Sequence, residues 1–260
     1  MRLKAIAEKF YPLLAVGVFL LLWLAAAKIV GLEMILPTPA AAIKKFFFLL
    51  SAPVFWNSAA HTLLRTLIAF SFSFLAALIF SVLSYVFKPI SKLLAPLVSV
   101  VRSVPTMSII LISIIWFKRD TSPIFITSLI VFPLLYAAFY GALNGIDKGL
   151  LDMSAAFKVP LKTRLGGLYI LSIARPVLTA VKSNISLSVK ITISAEVLAQ
   201  TRASMGLGMQ NARVYLDTAE LLGWTVAAVL ISAGLELLVE IISRFALRSR
   251  ERGAGSRYEY

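Results

Sequence analysis

Few residues of this sequence can do chemistry, and most of them sit inside apolar runs. Residues 177–198 carry Lys182, Ser183, Asn184, Ser186, Ser188, Lys190, Thr192, Ser194 and Glu196 in an otherwise hydrophobic stretch. Ammonium groups, hydroxyls, an amide and a carboxylate on one such stretch suit a bundle interior or an aqueous path for a polar solute. In a second apolar run, 93–117, Arg102 lies three residues before Pro105. A charge and a proline at that depth are costly unless protein or a water-filled cavity surrounds them, so the run reads as a broken helix. That helix either lines a pathway or hides a structural ion pair. Other chemistries are poorly served. There is no cysteine, hence no disulfide, thiolate metal site or Cys nucleophile. His61 is the single histidine, too little for a His-based metal site or catalytic dyad. Glu236, Glu240 and Arg244 are spaced by four, the pattern of ordinary helical ion pairing. No GxxxxGK[ST] loop is present, so ATP is not expected to bind this chain through one.

The elements that must carry these residues follow from composition. Of 260 residues 60% are hydrophobic and 15% charged, and the mean hydropathy is +0.90. The charges cluster between apolar runs of about 20 residues, the length that spans a bilayer as a helix. Continuous rather than alternating runs exclude a transmembrane barrel. The expected fold is therefore an all-α membrane protein of one domain, 1–260, with six transmembrane helices. The spans are placed at 11–27, 66–87, 93–117, 123–143, 177–198 and 221–242. The first has the outline of a signal peptide but is longer than its apolar region, so it is expected to be retained. Pro39 should open a helix over 40–50 that lies at the membrane surface. Arg65, near the start of the second span, should either snorkel to headgroups or make an interhelical pair. Residues 247–260 read as a mobile tail.

Basic residues orient the chain. The net charge is +14. The N-terminus, the 88–92 turn, the 145–168 segment and the residues after 242 carry 14 Lys or Arg, against Lys44, Lys45, Lys118, Arg119, Arg202 and Arg213 on the other side. Both termini and the 145–168 segment are therefore expected in the cytoplasm. The charge is expected to serve membrane orientation and anionic lipid, not nucleic acid.

The longest polar insert between apolar runs is 145–176. Its Ala155–Ala156 pair suits a short helix over 151–159, which Pro160 should end. A short helix with small residues on one face can plug into a groove on a partner; a solvated loop is the plainer reading. Function thus lies between passage across the membrane and recruitment of a partner. The candidate path residues are Arg102, Asn184, Ser188, Lys190 and Glu196.

Several of these stretches, in order, resemble the permease subunit of binding-protein-dependent ABC importers, most closely the nitrate/sulfonate/taurine branch. Leu36-Pro37-Thr38-Pro39 resembles its Leu-Pro-Ser-Pro, and His61-Thr62-Leu63-Leu64-Arg65 the opening of its second span. Arg102-Ser103-Val104-Pro105 resembles its Arg-x-x-Pro, and Ser154-Ala155-Ala156 the Glu-Ala-Ala start of its coupling motif. Ala195-Glu196 and Gly206-Leu207-Gly208, with Asn211-Ala212-Arg213, resemble the end of its fifth span and the loop beyond. The resemblance covers roughly residues 35–245. Ser154 stands where the family has Glu, Pro160 where it has Gly, and the Ile-x-Leu-Pro end of the motif is reduced to Ile170…Pro176. Gly permits a positive φ that Pro cannot adopt, so the turn after the helix is expected to differ.

The resemblance implies a type I importer bundle, multi-pass in a prokaryotic plasma (inner) membrane. It implies a second permease subunit, most simply an identical one, an extracytoplasmic solute-binding protein and a cytoplasmic ABC ATPase dimer that binds the ATP. The permease itself is then not an enzyme and holds no cofactor or metal. Asp152, Ser154, Ala155, Ala156, Phe157, Lys158 and Pro160 fall on the ATPase-coupling motif. Lys190, mid-span, would attract an anion such as a sulfonate or nitrate, or else pair with a carboxylate such as Glu196 of the other subunit. An ATP-independent secondary transporter or channel is the alternative.

Overall fold

The computed structural model describes residues 2–255, and every regular element among them is helical. Helix α1 (Arg2–Val30) is followed by α2 (Pro39–Ser51), α3 (Pro53–Val86), α4 (Lys88–Ser103), α5 (Thr106–Trp116) and α6 (Ser122–Asn144). The second half comprises α7 (Lys148–Ala156), α8 (Leu161–Arg164), a π-turn (Leu165–Tyr169), α9 (Ile170–Ala199), α10 (Met205–Val214) and α11 (Thr218–Gly255). Among the described residues four stretches are long and apolar enough to cross a membrane: α3, α6, residues Leu161–Ala199 and Thr218–Phe245 of α11. Helices α4 and α5 together make a fifth, bent by 98°. Within α1, Leu14–Val30 is a shorter apolar helix.

Local chemistry explains the boundaries. Pro39 opens α2 as expected, and the Thr38 hydroxyl caps it by accepting from Ala41 N at 3.2 Å. Val104 is extended, as the residue before a proline should be, and the α4–α5 break falls there. Asp147 caps α7 by accepting from Gly149 N at 2.7 Å. Helix α7 then ends in a tight turn: Phe157 N bonds Met153 O, and Val159 N bonds Ser154 O, both at 3.0 Å. The left-handed residue of that turn is Lys158 (φ 49°).

Four expectations need correction here. The α7 helix spans 148–156 rather than 151–159. The insert is shorter than 145–176, because α8, the π-turn and α9 run on as one span from Leu161, with Pro176 inside the helix. Likewise α3 starts at Pro53 and is 34 residues long, about 51 Å, so its first turns exceed the ~30 Å of hydrocarbon. At the other end, α11 continues to Gly255, so 247–255 of the expected tail are helical; 256–260 lie outside the described residues.

The core is centred on α6, held between α3 and α9. The α3 side is small: Ala69, Ser73 and Ala77 are fully buried at helical spacing. Small residues let helices approach until backbone and side chains bond across the interface. Ser73 Oγ donates to Ser128 O at 3.0 Å, and Ser128 Oγ to Ala69 O at 3.3 Å. On α6 the filling is large, with Ile126, Val131, Leu135 and Phe139 buried.

Ala69→Leu is expected to destabilise this interface by ~1–3 kcal/mol, the usual cost of overpacking. Phe72→Leu, on the exposed side of α3, should be nearly neutral. Thermal unfolding of both purified proteins in one detergent checks the difference.

Candidate functional site

The polar residues of α9 sort onto two faces. Asn184, Ser188, Thr192 and Glu196 are spaced by four and are all buried. Thr179, Ser183, Lys190 and Ser194 are exposed on the other side. The alternation seen in the sequence is thus two stripes of one helix. The buried stripe is saturated. Asn184 Nδ2 donates to Ala180 O at 2.8 Å, Ser188 Oγ to Asn184 O at 2.7 Å, and the Thr192 and Thr127 hydroxyls bond at 2.9 Å.

Glu196 ends that stripe at the centre of a buried node. Its carboxylate is 0% exposed and accepts from Arg65 Nη1 at 3.0 Å, Thr62 Oγ1 at 2.8 Å and Gly206 N at 3.3 Å. Thr62 Oγ1 in turn accepts from Met205 N at 3.0 Å. Arg65 spends its other N–H groups on Ala203 O, Arg202 O (3.0 Å) and Asp120 Oδ1 (3.3 Å). The first turn of α10 gives the carboxylate one backbone N–H, that of Gly206, as a helix N-terminus favours. Ser204 caps that turn by accepting from Leu207 N at 3.0 Å. Gly206 is required by contact: a Cβ there would lie 2.4 Å from Glu196 Cβ. A Cβ on Gly208 would lie 2.4 Å from the Trp224 ring on α11. Four separate sequence features, around Arg65, Asp120, Glu196 and Gly206, are therefore one structure joining α3, the α5–α6 loop, α9 and α10.

Of the two readings of Arg65, the structure gives the interhelical pair. It also places Glu196 against Arg65 of its own chain, away from the open face of α9. Sequence reasoning noticed both residues but not their partnership, which joins positions 131 apart.

Lys190 lies on the open face and makes no ion pair among the described residues. Lys182 pairs instead with Glu240 Oε2 at 2.6 Å, and Glu240 with Arg244 at 2.5 Å, as the i,i+4 spacing foretold. Arg102 is exposed at the α4–α5 break and lines a cleft between α4 and α6. On α7, Asp152, Ala155, Ala156, Phe157, Lys158 and Pro160 are exposed, with Met153 (53%), Phe157 (78%) and Leu161 (72%) forming an apolar patch. Ser154 alone of the seven motif residues turns inward, its Oγ donating to Leu151 O at 2.7 Å.

At the end of the bundle opposite α7, Lys45 and Asp217 join α2 to the start of α11 through an ion pair at 2.5 Å. The hydrogen bond to Asp217 holds the Lys45 ammonium above its usual range. Burial pushes Asp217 up, but its bonds from Lys45 and Glu220 N outweigh this and hold it below the usual carboxylate range.

Removing either partner of the Arg65–Glu196 pair leaves a buried charge and should cost ~3–5 kcal/mol. Glu196→Gln and Arg65→Met are each expected to lower the thermal midpoint and the monodisperse yield. Their double variant should be clearly less destabilised than the two single losses summed. Additive losses in that cycle would show that the two side chains do not act as a pair.

Comparison with known proteins agrees with this architecture. Residues 69–251 match the family of binding-protein-dependent transport system inner membrane components. The chain is 28% identical over 255 residues to a putative aliphatic sulfonates transport permease protein, SsuC, of Escherichia coli (strain K12), covering 95% of this chain and 92% of that one. Its fold is similar to that of a chain of the MetNI methionine ABC transporter in inward-facing conformations, with TM-score 0.59 and 18% identity over 76% of this chain and 98% of the other. A chain of an amino acid ABC transporter with histidines gives TM-score 0.59 at 14% identity, covering 76% and 94%. The chain that builds this helical core around a buried Arg–Glu node thus belongs to the inner membrane components of binding-protein-dependent transport systems, the permease subunits of ABC importers.

Proposed function

We propose that this permease forms, with a second and identical copy, the path for a small anionic solute such as an alkanesulfonate across a prokaryotic inner membrane. The observation that carries the reading is Lys190, a cation on the open polar face of α9 with no carboxylate paired to it among the described residues. An unpaired ammonium inside a span is costly unless it faces water or a passing anion. Glu196 does not offset it, being committed to Arg65. The sulfonate permease relative supports the same class of solute. Lys190, with Ser183 and Ser194, is assigned to the path. Glu196 is assigned to holding α9 in place, Asn184 and Ser188, bonded to α9's own backbone, to its packed face, and Arg102 to a cleft beside the path.

Helix α7 is assigned to coupling. Its exposed Met153–Phe157–Leu161 patch is a poor surface for solvent and a good one for a cleft in a cytoplasmic ATPase. ATP binds there, not on this chain, and closure of the ATPase pair tips the permeases toward a loaded solute-binding protein on the far side. The excess of basic residues at the α7 end supports a cytoplasmic location for that end and both termini.

Two measurements test the reading. Tagged wild type, solubilised in mild detergent, is expected to bring down an ABC ATPase in stoichiometric amount, identified by mass spectrometry. Ala156→Asp should lower that recovery at least tenfold. A permease dimer that never carries an ATPase, under conditions that preserve other such complexes, would favour an ATP-independent carrier instead. In transport assays on cells, Lys190→Ala should raise the KM for the anionic solute roughly tenfold, the scale of one charge-assisted hydrogen bond. Unchanged transport in a normally expressed protein removes Lys190 from the path.

A further inference from the structure

We infer that the cleft between α4 and α6 is an oxyanion-binding site centred on Arg102. It deepens the proposed function and rests on it only for the membrane setting. The cleft measures about 580 Å³, within the range of small-molecule sites. Arg102, in the last turn of α4, lines one end of it, and Tyr140 and Asn144 of α6 line the end near Ser91. No lining residue is acidic. Arg102 has no ion pair or hydrogen bond among the described residues, and the hydroxyl of Ser99, one turn earlier on α4, has no hydrogen bond either. Other polar groups in the wall are held in place. The Ser91 and Tyr140 hydroxyls bond each other at 2.8 Å, and Asn144 donates one N–H to Tyr140 O at 2.8 Å, leaving its second N–H available.

A cation in the last turn of a helix is favoured by that helix's own carbonyls. That accounts for a basic residue at this position but not for a cleft with open donors and no acid. The break at Val104–Pro105 turns α5 away by 98° and leaves the guanidinium beside the cleft. A guanidinium presents a planar fork of N–H groups that fits two oxygens of a sulfonate or phosphate. Ser99, one turn earlier on α4, can take a third. The shared chemistry is a tetrahedral oxyanion on a small apolar stem. It can come from the transported solute or from the phosphate of an anionic lipid.

The experiment uses the purified full-length permease without any ATPase, so its failure is separate from a failure of coupling. Radiolabelled ethanesulfonate is measured by equilibrium dialysis. Phosphatidylglycerol is measured by native mass spectrometry, with phosphatidylcholine as the neutral comparison. Wild type is expected to bind one or both anionic probes saturably. Arg102→Gln, which removes the charge, and Ser99→Leu, which fills the cleft and keeps the charge, should each weaken that binding at least tenfold. Lys92→Gln, on the same helix but outside the cleft, should not. Size-exclusion profiles matching wild type show that the variants are folded. The responding probe identifies the source of the oxyanion. Wild-type binding of both probes by Arg102→Gln and Ser99→Leu, or no saturable binding by the wild type, overturns the inference.

Discussion

The Arg65–Glu196 pair is the constraint on which the rest of the half of the bundle opposite α7 depends. Burying a carboxylate costs several kcal/mol unless its lone pairs are met. Here they are met by three donors from two elements, Thr62 and Arg65 of α3 and Gly206 N in the first turn of α10. Each donor needs its element in one place. The chain must reverse sharply after α9, through Gln200 (φ 49°) and Ala203 (φ 43°), to bring Gly206 N to the carboxylate. Arg65, reaching Arg202 O and Ala203 O, satisfies the carbonyls that this reversal strands. The node therefore couples the orientation of α9 to α3 and to the loop that leads into α11.

That coupling gives α9 its division of labour. A helix with polar groups all round would not be stable against lipid or against an apolar core. By tying one polar stripe into hydrogen bonds with α6 and the node, the chain fixes the rotation of α9. The second stripe, with Lys190, is then presented on the surface that α9 does not share with α6. The two glycines of α10 complete the geometry: one admits the Glu196 backbone, the other the Trp224 ring, so α10 is wedged between α9 and α11.

How much of this was legible in the sequence depends on range. Apolar run length placed the long helices, and Pro39, Pro105 and the i,i+4 charges of α11 placed a start, a break and a pair, because each is a local signal. The partnership of Arg65 with Glu196 was not legible, since nothing local distinguishes a buried ion pair from a path residue and a headgroup anchor. The fifth span was placed too late for a related reason. Gly166, Gly167 and Pro176 are loop signals in isolation, yet the structure absorbs the glycines into a π-turn and Pro176 into the helix. Proline inside a membrane helix is tolerated when neighbouring groups take up the freed carbonyl.

The turn after α7 shows a backbone requirement migrating along the chain. The family resemblance sets a glycine at position 160, where a left-handed residue would be easy, and proline stands there instead. The left-handed conformation is present all the same, two residues earlier at Lys158 (φ 49°). A non-glycine residue in that region costs roughly 1–2 kcal/mol. The bonds from Phe157 N, Lys158 N and Val159 N back to α7 offset it by satisfying the helix's last carbonyls. Pro160 (φ −55°) then serves a different purpose, preceding α8 with a φ already suited to the turn. Departure from the familiar residue at 160 therefore does not remove the sharp exit from α7. It moves the strained position next to Phe157, the most exposed residue of the apolar patch, and so ties the geometry of the turn to the surface that a partner would meet.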